Sequence, residues 1–354
     1  MEDMVTQAMA NPLARDLDEA LDRNRAMWQE LRGARVFLTG GSGFVGCWLL
    51  ESLLWANDRL ALDTSIVALT RDADAFANKA PHLTQHPSVR LVSGDVRSPA
   101  ALPGRFTHVV HAAADGRPIQ NREDRLRMFD TIVGGTRRML EMAREAGAGR
   151  FLLTSSGAVY GPQPPSLPAI SEDYAGSPDP TNPAHAYGEA KRAAEALCAL
   201  QADAQFSPTI ARCFAFVGPY LPLDAAFAAG NFVRDALRGD PIRIGGDGRP
   251  YRAYLYGADL AAWLWTILVR GAAARAYNVG GEHALTIREL AETVARLADR
   301  RVPIEVHAAS APGPAPRYVP STARARQELG VMETVSLEKG IEQMFAWHRR
   351  RSFV

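Results

Sequence analysis

The segment that most constrains the fold is Gly40-Gly41-Ser42-Gly43-Phe44-Val45-Gly46. It follows the short apolar run Arg35-Val-Phe-Leu-Thr39 directly and leads directly into a helical pattern. Glycines at this spacing are weak as a motif alone; between a strand and a helix they become specific. Gly40 permits a tight turn, Gly43 lets backbone approach a pyrophosphate, and Gly46 lets helix and strand pack closely. Phe44 and Val45 open the helix, whose N-terminal N–H groups have no intrahelical partner and suit phosphate oxygens. The turn is thus expected to hold a dinucleotide.

The surrounding sequence has the matching texture. Residues 65–69, 89–93, 108–111 and 150–154 are further short apolar runs, bounded by Gly, Asp or Ser. Strands buried on both faces of a parallel sheet look like this. Residues 48–55 and 125–146 suit crossover helices, so the fold class is α/β, a doubly wound parallel (Rossmann) sheet. A helix is expected over 187–201 and a sixth apolar run over 209–217, ending at Gly218-Pro219. Beyond it prolines and glycines thicken, a helix is expected over 286–299, and a loop rich in Pro and Ala covers 310–320. Three parts are expected: an N-terminal helical extension (1–33), a dinucleotide-binding domain (34–217) with a substrate-side loop at 163–183, and a smaller α/β substrate-binding domain (218–354) that shares segments with the first. In the extension, Leu17, Leu21, Trp28 and Leu31 recur at helical spacing within 16–32, a stripe for packing or an oligomer contact.

Bulk properties narrow the class. The chain has 354 residues, 47% of them hydrophobic, enough for a large core. With 40 basic against 39 acidic residues and no basic stripe, nucleic acid is not an expected partner. Cys47, Cys198 and Cys213 have neither zinc spacing nor a disulfide framework, and no metal site is expected. The N-terminus has no apolar stretch of a secretory signal. The apolar run 260–269 is about half the ~20 residues that span a bilayer. A soluble cytoplasmic protein is the expectation.

The second run ends at Thr70-Arg71-Asp72. An acidic residue here usually holds ribose hydroxyls, and an arginine can hold a 2′-phosphate. Arg71 comes first and leans the reading to NADP over NAD, while Asp72 could do the opposite job. Asp95 and Val96 close the third run; Asp95 could accept from an adenine amino group or cap the next helix. Tyr187 and Lys191 lie four residues apart in a helical pattern, hence on one face. A phenol with its ordinary pKa near 10 is a poor base at neutral pH, and a neighbouring ammonium favours the phenolate. Such a pair could exchange a proton with a hydroxyl while a hydride moves. Thr154-Ser-Ser156 leaves a strand at its C-terminal end, where open parallel sheets bind ligands, and Ser156 could hydrogen-bond the reacting oxygen.

The glycine turn, His111-Ala112-Ala113-Ala114, Ser155-Ser-Gly-Ala-Val-Tyr-Gly161 and Tyr187-x-x-x-Lys191 together resemble the extended short-chain dehydrogenases, from about Arg35 to the C-terminus. Enzymes of that family modify sugar nucleotides as epimerases, dehydratases, reductases and decarboxylases. The resemblance implies a catalytic triad of Ser156, Tyr187 and Lys191, with Ala112, Ala113 and Ala114 on the nicotinamide side and Lys191 also at its ribose. It implies a nucleotide-diphosphate sugar as substrate, with Arg252 and Arg317 as phosphate ligands; forked guanidinium groups suit a diphosphate. It also implies a homodimer formed through helices 125–146 and 187–201, with Met128, Ile132, Met139 and Leu140 in the seam. Two positions depart from the pattern. Ala215 stands where the family usually has asparagine, and Asn231 could replace that contact. The stretch Asp130-Thr-Ile-Val-Gly-Gly135 lacks another expected asparagine.

A 4,6-dehydratase needs an extra acid and base beside the triad hydroxyl. Gly157-Ala158 stands there, so dehydratase ranks below epimerase or 4-keto reductase; the alternative reading is a 4,6-dehydratase or a decarboxylase. A dinucleotide sensor without chemistry would be expected to have lost the tyrosine or the lysine.

Overall fold

The computed structural model describes residues 11–99, 104–114, 119–310 and 312–351. The chain begins with helices α1 (Ala14–Arg23) and α2 (Arg25–Gln29). Strand β1 (Arg35–Thr39), α3 (Phe44–Leu60), β2 (Ser65–Thr70), α4 (Ala73–Lys79), α5 (Pro81–Thr84) and β3 (Val89–Ser93) form the first winding. The second comprises β4 (His108–His111), α6 (Arg122–Glu145), β5 (Arg150–Ser156), α7 (Ala186–Gln201) and β6 (Ser207–Cys213). Then come β7 (Ala215–Val217), α8 (Ala228–Arg238), β8 (Ile242–Ile244), β9 (Tyr251–Arg252), β10 (Tyr254–Tyr256) and α9 (Gly257–Arg270). The C-terminal part holds β11 (Ala276–Val279), β12 (Leu285–Thr286), α10 (Ile287–Leu297), β13 (Ile304–Val306), β14 (Arg317–Tyr318), α11 (Ala323–Leu329) and α12 (Leu337–Arg351).

Seven parallel strands form the central sheet in the order β11-β6-β5-β4-β1-β2-β3. Alternate residues of one strand face opposite sides, and the core divides accordingly. Val36, Leu38, Val110, Leu152 and Ala211 join α3 and α9 in one cluster, while Phe37, Val109, Phe151 and Ile210 join α6 and α7 in another. Helices therefore cover both faces, as a doubly wound α/β fold requires. The edge strand β11 comes from far beyond the sixth strand in sequence. The segments from Ala215 onward also build three small sheets, β10-β7, β12-β9-β14 and β13-β8.

Three local expectations differ from the structure. The helix over 16–32 breaks at Asn24, whose side chain donates to Ala20 O at 2.9 Å while its own N–H turns back to Leu21 O. Leu17, Leu21 and Trp28 all enter the core against α3 and α9, so the stripe serves packing. The run 209–217 divides at Phe214: β6 stays in the central sheet and β7 pairs with β10. Met128, Ile132, Met139 and Leu140 are buried within the chain's own core beneath α6, so none of them supplies an outward seam.

Strand β4 carries two histidines held neutral by burial. His111 is fully buried, shares a 2.8 Å hydrogen bond with Thr39 Oγ1, and has its pKa pushed down to about 3, first by desolvation and then by the Lys191 charge. His108 is lowered to about 4 by burial and by Arg150. Each takes up a proton on unfolding well before it can do so folded. Stability is therefore lost as pH falls below about 6.5 and continues to fall until the folded value is reached. At ~1.4 kcal/mol per pH unit, the step from pH 6.5 to 5 costs about 2 kcal/mol for each histidine. Urea unfolding at pH 7 and pH 5 checks this. The wild-type midpoint should fall, and His111→Gln should show a smaller fall; identical pH slopes would remove His111 from the account.

Candidate active site

The main cavity, about 740 Å³, lies at the C-terminal ends of the central strands. That is where open α/β sheets bind ligands, and the volume suits a ligand site. Its floor is the glycine turn. Gly40 has φ +75°, and a Cβ there would sit 2.7 Å from the Ala112–Ala113 backbone. A Cβ on Gly46 would meet Gly40 O at 2.2 Å. Both positions therefore require glycine. Gly43 begins α3 without a side-chain cap, and Gly43, Phe44, Val45 and Gly46 all line the cavity. An uncapped helix N-terminus facing a cavity is a ready anion site.

Around that turn the cavity is lined by Arg71, Asp95, Val96, Ala112, Ala113 and Ala114. Arg71 is exposed. Asp72 is engaged elsewhere: its side chain accepts from Ala75 N at 2.8 Å and caps α4. Among the described residues Asp95 caps no helix. It accepts from the N–H and guanidinium of Arg97, which hold its carboxyl below the usual range. From the stretch 130–135, Thr131 lines the cavity, and its hydroxyl donates to Arg127 O at 2.7 Å.

Ser156, Tyr187 and Lys191 line the same cavity. Ser156 ends β5, and its hydroxyl accepts from Ala158 N at 3.2 Å. Lys191 is buried on α7; its Nζ donates to Thr154 O at 2.7 Å and lies 5.9 Å from the centroid of the Tyr187 ring. The Tyr187 ring is partly exposed. Helix α7 is fastened to the sheet from below. Glu195 accepts from Nη2 and Nε of the single guanidinium of Arg212 on β6, at 2.7 and 3.0 Å, and from Ser155 Oγ at 2.5 Å.

Arg252 also lines the cavity. Arg317 does not. Its guanidinium lies 4.3 Å from the centroid of the Tyr251 ring, and its Nε donates to Pro168 O. Its neighbour Tyr318 enters the cavity instead, because adjacent residues of a strand face opposite ways. Asn231 lies in a smaller cavity of about 340 Å³, lined also by Arg243, Ile244, Gly245 and Gly246. This cavity adjoins the first, sharing Ala226, Ala228 and Ile287. The buried Asn231 Oδ1 has no partner among the described residues. Sequence reading missed Tyr318, Phe214, Phe216 and Tyr254, all of which line the main cavity. Only the adjacency of Tyr318 to Arg317 pointed near it.

Among the described residues, no cluster of His, Cys, Asp or Glu could hold a metal, and no helix is long and apolar enough to cross a membrane. All three cysteines are free thiols.

The chain is similar to known proteins over most of its length. UDP-glucuronic acid decarboxylase 2 of Arabidopsis thaliana is 31% identical over 323 residues, 91% of this chain and 70% of the relative. UDP-glucuronic acid decarboxylase 6 of the same plant is 30% identical over 326 residues, 91% and 90% of the two chains. The crystal structure of a UDP-glucuronic acid 4-epimerase from Bacillus cereus, in complex with UDP-glucuronic acid and NAD, superposes with a TM-score of 0.76. It is 22% identical, with 90% of this chain and 99% of that one covered, and shows the shared fold. Residues 36–280 match the description of one family throughout. The chain belongs to the NAD dependent epimerase/dehydratase family.

Proposed function

We propose that the chain holds a nicotinamide dinucleotide on the glycine turn and performs hydride transfer at a hydroxyl or ketone of a nucleotide-diphosphate sugar, as an epimerase or a 4-keto reductase. The observation that carries this reading is the meeting of Ser156, Tyr187 and Lys191 with the glycine turn in one cavity. The dinucleotide, when bound, supplies a hydride acceptor or donor. Tyr187 takes the hydroxyl proton as the carbonyl forms and returns it on reduction. Ser156 donates to the reacting oxygen and shares its developing charge. Lys191, fixed by Thr154 O, keeps a cation beside the phenol. Arg252 offers a guanidinium to the diphosphate, and the adjoining cavity at Asn231 and Arg243 gives room for a nucleoside.

A second reading is favoured by the names of the curated relatives. In a uronic acid, oxidation of the hydroxyl next to the carboxylate-bearing carbon places a ketone β to that carboxylate. Carbon dioxide then leaves, its bonding electrons pass into the enol, a proton from solvent restores the carbon, and return of the hydride taken up in the oxidation would reduce the ketone to the pentose. The ketone itself drives this loss, so the lack of an ionisable group at Gly157 and Ala158 does not oppose a decarboxylase as it opposes a dehydratase.

For the cofactor, we favour NADP over NAD. Strand β2 ends without an acidic residue, Asp72 is committed to its helix cap, and Arg71 faces the cavity. Two copies are taken to pair through the solvent side of α6 and α7; a monomeric mass by light scattering at micromolar concentration would refute this.

The decisive experiment incubates the protein with UDP-glucose, UDP-galactose and UDP-glucuronic acid and each oxidised or reduced dinucleotide. Nicotinamide absorbance and product NMR are followed. Interconverted C4 epimers, or oxidation of the reduced cofactor by a 4-keto sugar, support the first reading. A pentose product with carbon dioxide moves the assignment to the second, and no turnover of any sugar nucleotide overturns both. In the same assay Arg71→Ala should weaken NADP by about 1.5–3 kcal/mol, the worth of a charged hydrogen bond, and leave NAD nearly unchanged.

Tyr187→Phe keeps the ring and removes the proposed acid–base group. Turnover should fall by roughly 10²–10⁴-fold with cofactor binding retained. Lys191→Met should lower both, and Ser156→Ala should be milder than either. Wild-type rates in Tyr187→Phe would show that the proton travels elsewhere.

A further inference from the structure

We infer that Tyr318 is a positioning residue for the triad, one that fixes Ser156 as a hydrogen-bond donor to the reacting oxygen. The inference rests on the functional reading above and concerns a residue outside its triad.

Tyr318 reaches the site from β14, far from the triad in sequence. Its hydroxyl lies 3.4 Å from Ser156 Oγ and 3.4 Å from Cys213 O. The place for it is built into the sequence that follows Ser156. A Cβ on Gly157 would come within 2.8 Å of the Tyr318 hydroxyl and 2.7 Å of the Phe214 ring. The rings of Phe214 and Tyr318 pack at 4.6 Å between centroids. Gly157 thus leaves the space beside the triad serine, and a phenol fills it. Burial pushes the Tyr318 pKa well above 10, with a hydrogen bond to Ser156 opposing it, so the group is a neutral donor and not a second base.

The consequence follows from counting lone pairs. A serine hydroxyl has one proton and two acceptor sites. Ala158 N already occupies one site on Ser156. When Tyr318 donates to the other, the single proton of Ser156 can point only outward, to the substrate oxygen. When Tyr318 donates to Cys213 O instead, Ser156 can spend its proton on Tyr318 and lose the productive orientation. The choice between these states is made beside Arg252, whose guanidinium lies 5.4 Å from the Tyr318 ring centroid. Strands β9 and β14 are paired neighbours, with Tyr318 opposite Arg252 in register. An anionic substrate held at Arg252 is therefore held beside the residue that orients Ser156.

Tyr318→Phe tests this, since it preserves the ring, the Phe214 packing and the face under Arg252. The value of kcat should fall about three- to tenfold, the worth of one neutral hydrogen bond. KM for the sugar nucleotide and the thermal midpoint should stay unchanged. In a Ser156→Ala background the same substitution should have no further effect, because it acts through Ser156. Gly157→Ala gives an independent route: its Cβ displaces the phenol, and kcat should fall at least as far. Additive losses in the double variant, or a Tyr318→Phe enzyme with wild-type kcat, would overturn the inference while leaving the functional reading intact. A wild-type protein inert toward every sugar nucleotide would overturn that reading and this inference with it.

Discussion

The contact between Glu195 and Arg212 holds the rest of the site in register. Glu195 lies on α7, on the helix that carries Tyr187 and Lys191, and Arg212 lies on β6 of the sheet. The pair is largely buried, and breaking such a pair by removing one partner costs about 3–5 kcal/mol, because the other charge is left in a poor solvent. Its role is geometric. It sets where the helix sits along the sheet, and so where the phenol and ammonium stand relative to Ser156. The same guanidinium donates to Tyr160 Oη at 2.9 Å; Tyr160 donates to Asn278 on β11, and Asn278 donates to Ile170 O and Ser321 O. One chain of hydrogen bonds thus runs from the catalytic helix, through the sheet, to the segment just after Tyr318.

That continuity explains how two distant stretches of sequence share one cavity. The glycine turn, the three alanines and the triad come from the first two hundred residues. Arg252 and Tyr318 come from a small three-stranded sheet that closes over them. The lining from the second stretch is mostly apolar and aromatic, with Phe214, Phe216 and Tyr254 beside a single guanidinium. An apolar wall around few polar groups strengthens each of those groups, since the local dielectric is low.

Much of this was legible in the sequence, for identifiable reasons. Parallel strands buried on both faces must be largely apolar, so β1, β2, β4 and β5 stand out as short runs. The glycine turn is dictated by backbone clearance, which depends on neighbouring residues in the chain and in the next strand. Tyr187 and Lys191 share a helix face by spacing alone. What was not legible depends on contacts between remote residues. Arg317 and Tyr318 are adjacent, and only the pairing of β14 with β9 decides which of them faces inward. The break at Phe214 reflects a change of sheet partner, from β5 and β11 to β10, that no local pattern encodes. Met128, Ile132, Met139 and Leu140 have the apolar spacing of any packed helix, and that spacing does not say whether the surface they cover belongs to the same chain or to another.

The edge strand β11 has a bearing on how the protein is made. It contributes the last parallel partner to β6, yet it is synthesised only after α8, β8–β10 and α9. Until residues 276–279 leave the ribosome, β6 remains an unpaired parallel edge, and Asn278 is not there to receive Tyr160. The dinucleotide half cannot be completed as an early, autonomous folding unit on the ribosome. A chain cut between the two sequence halves would expose a sticky strand edge, the kind of surface on which unfinished α/β proteins aggregate.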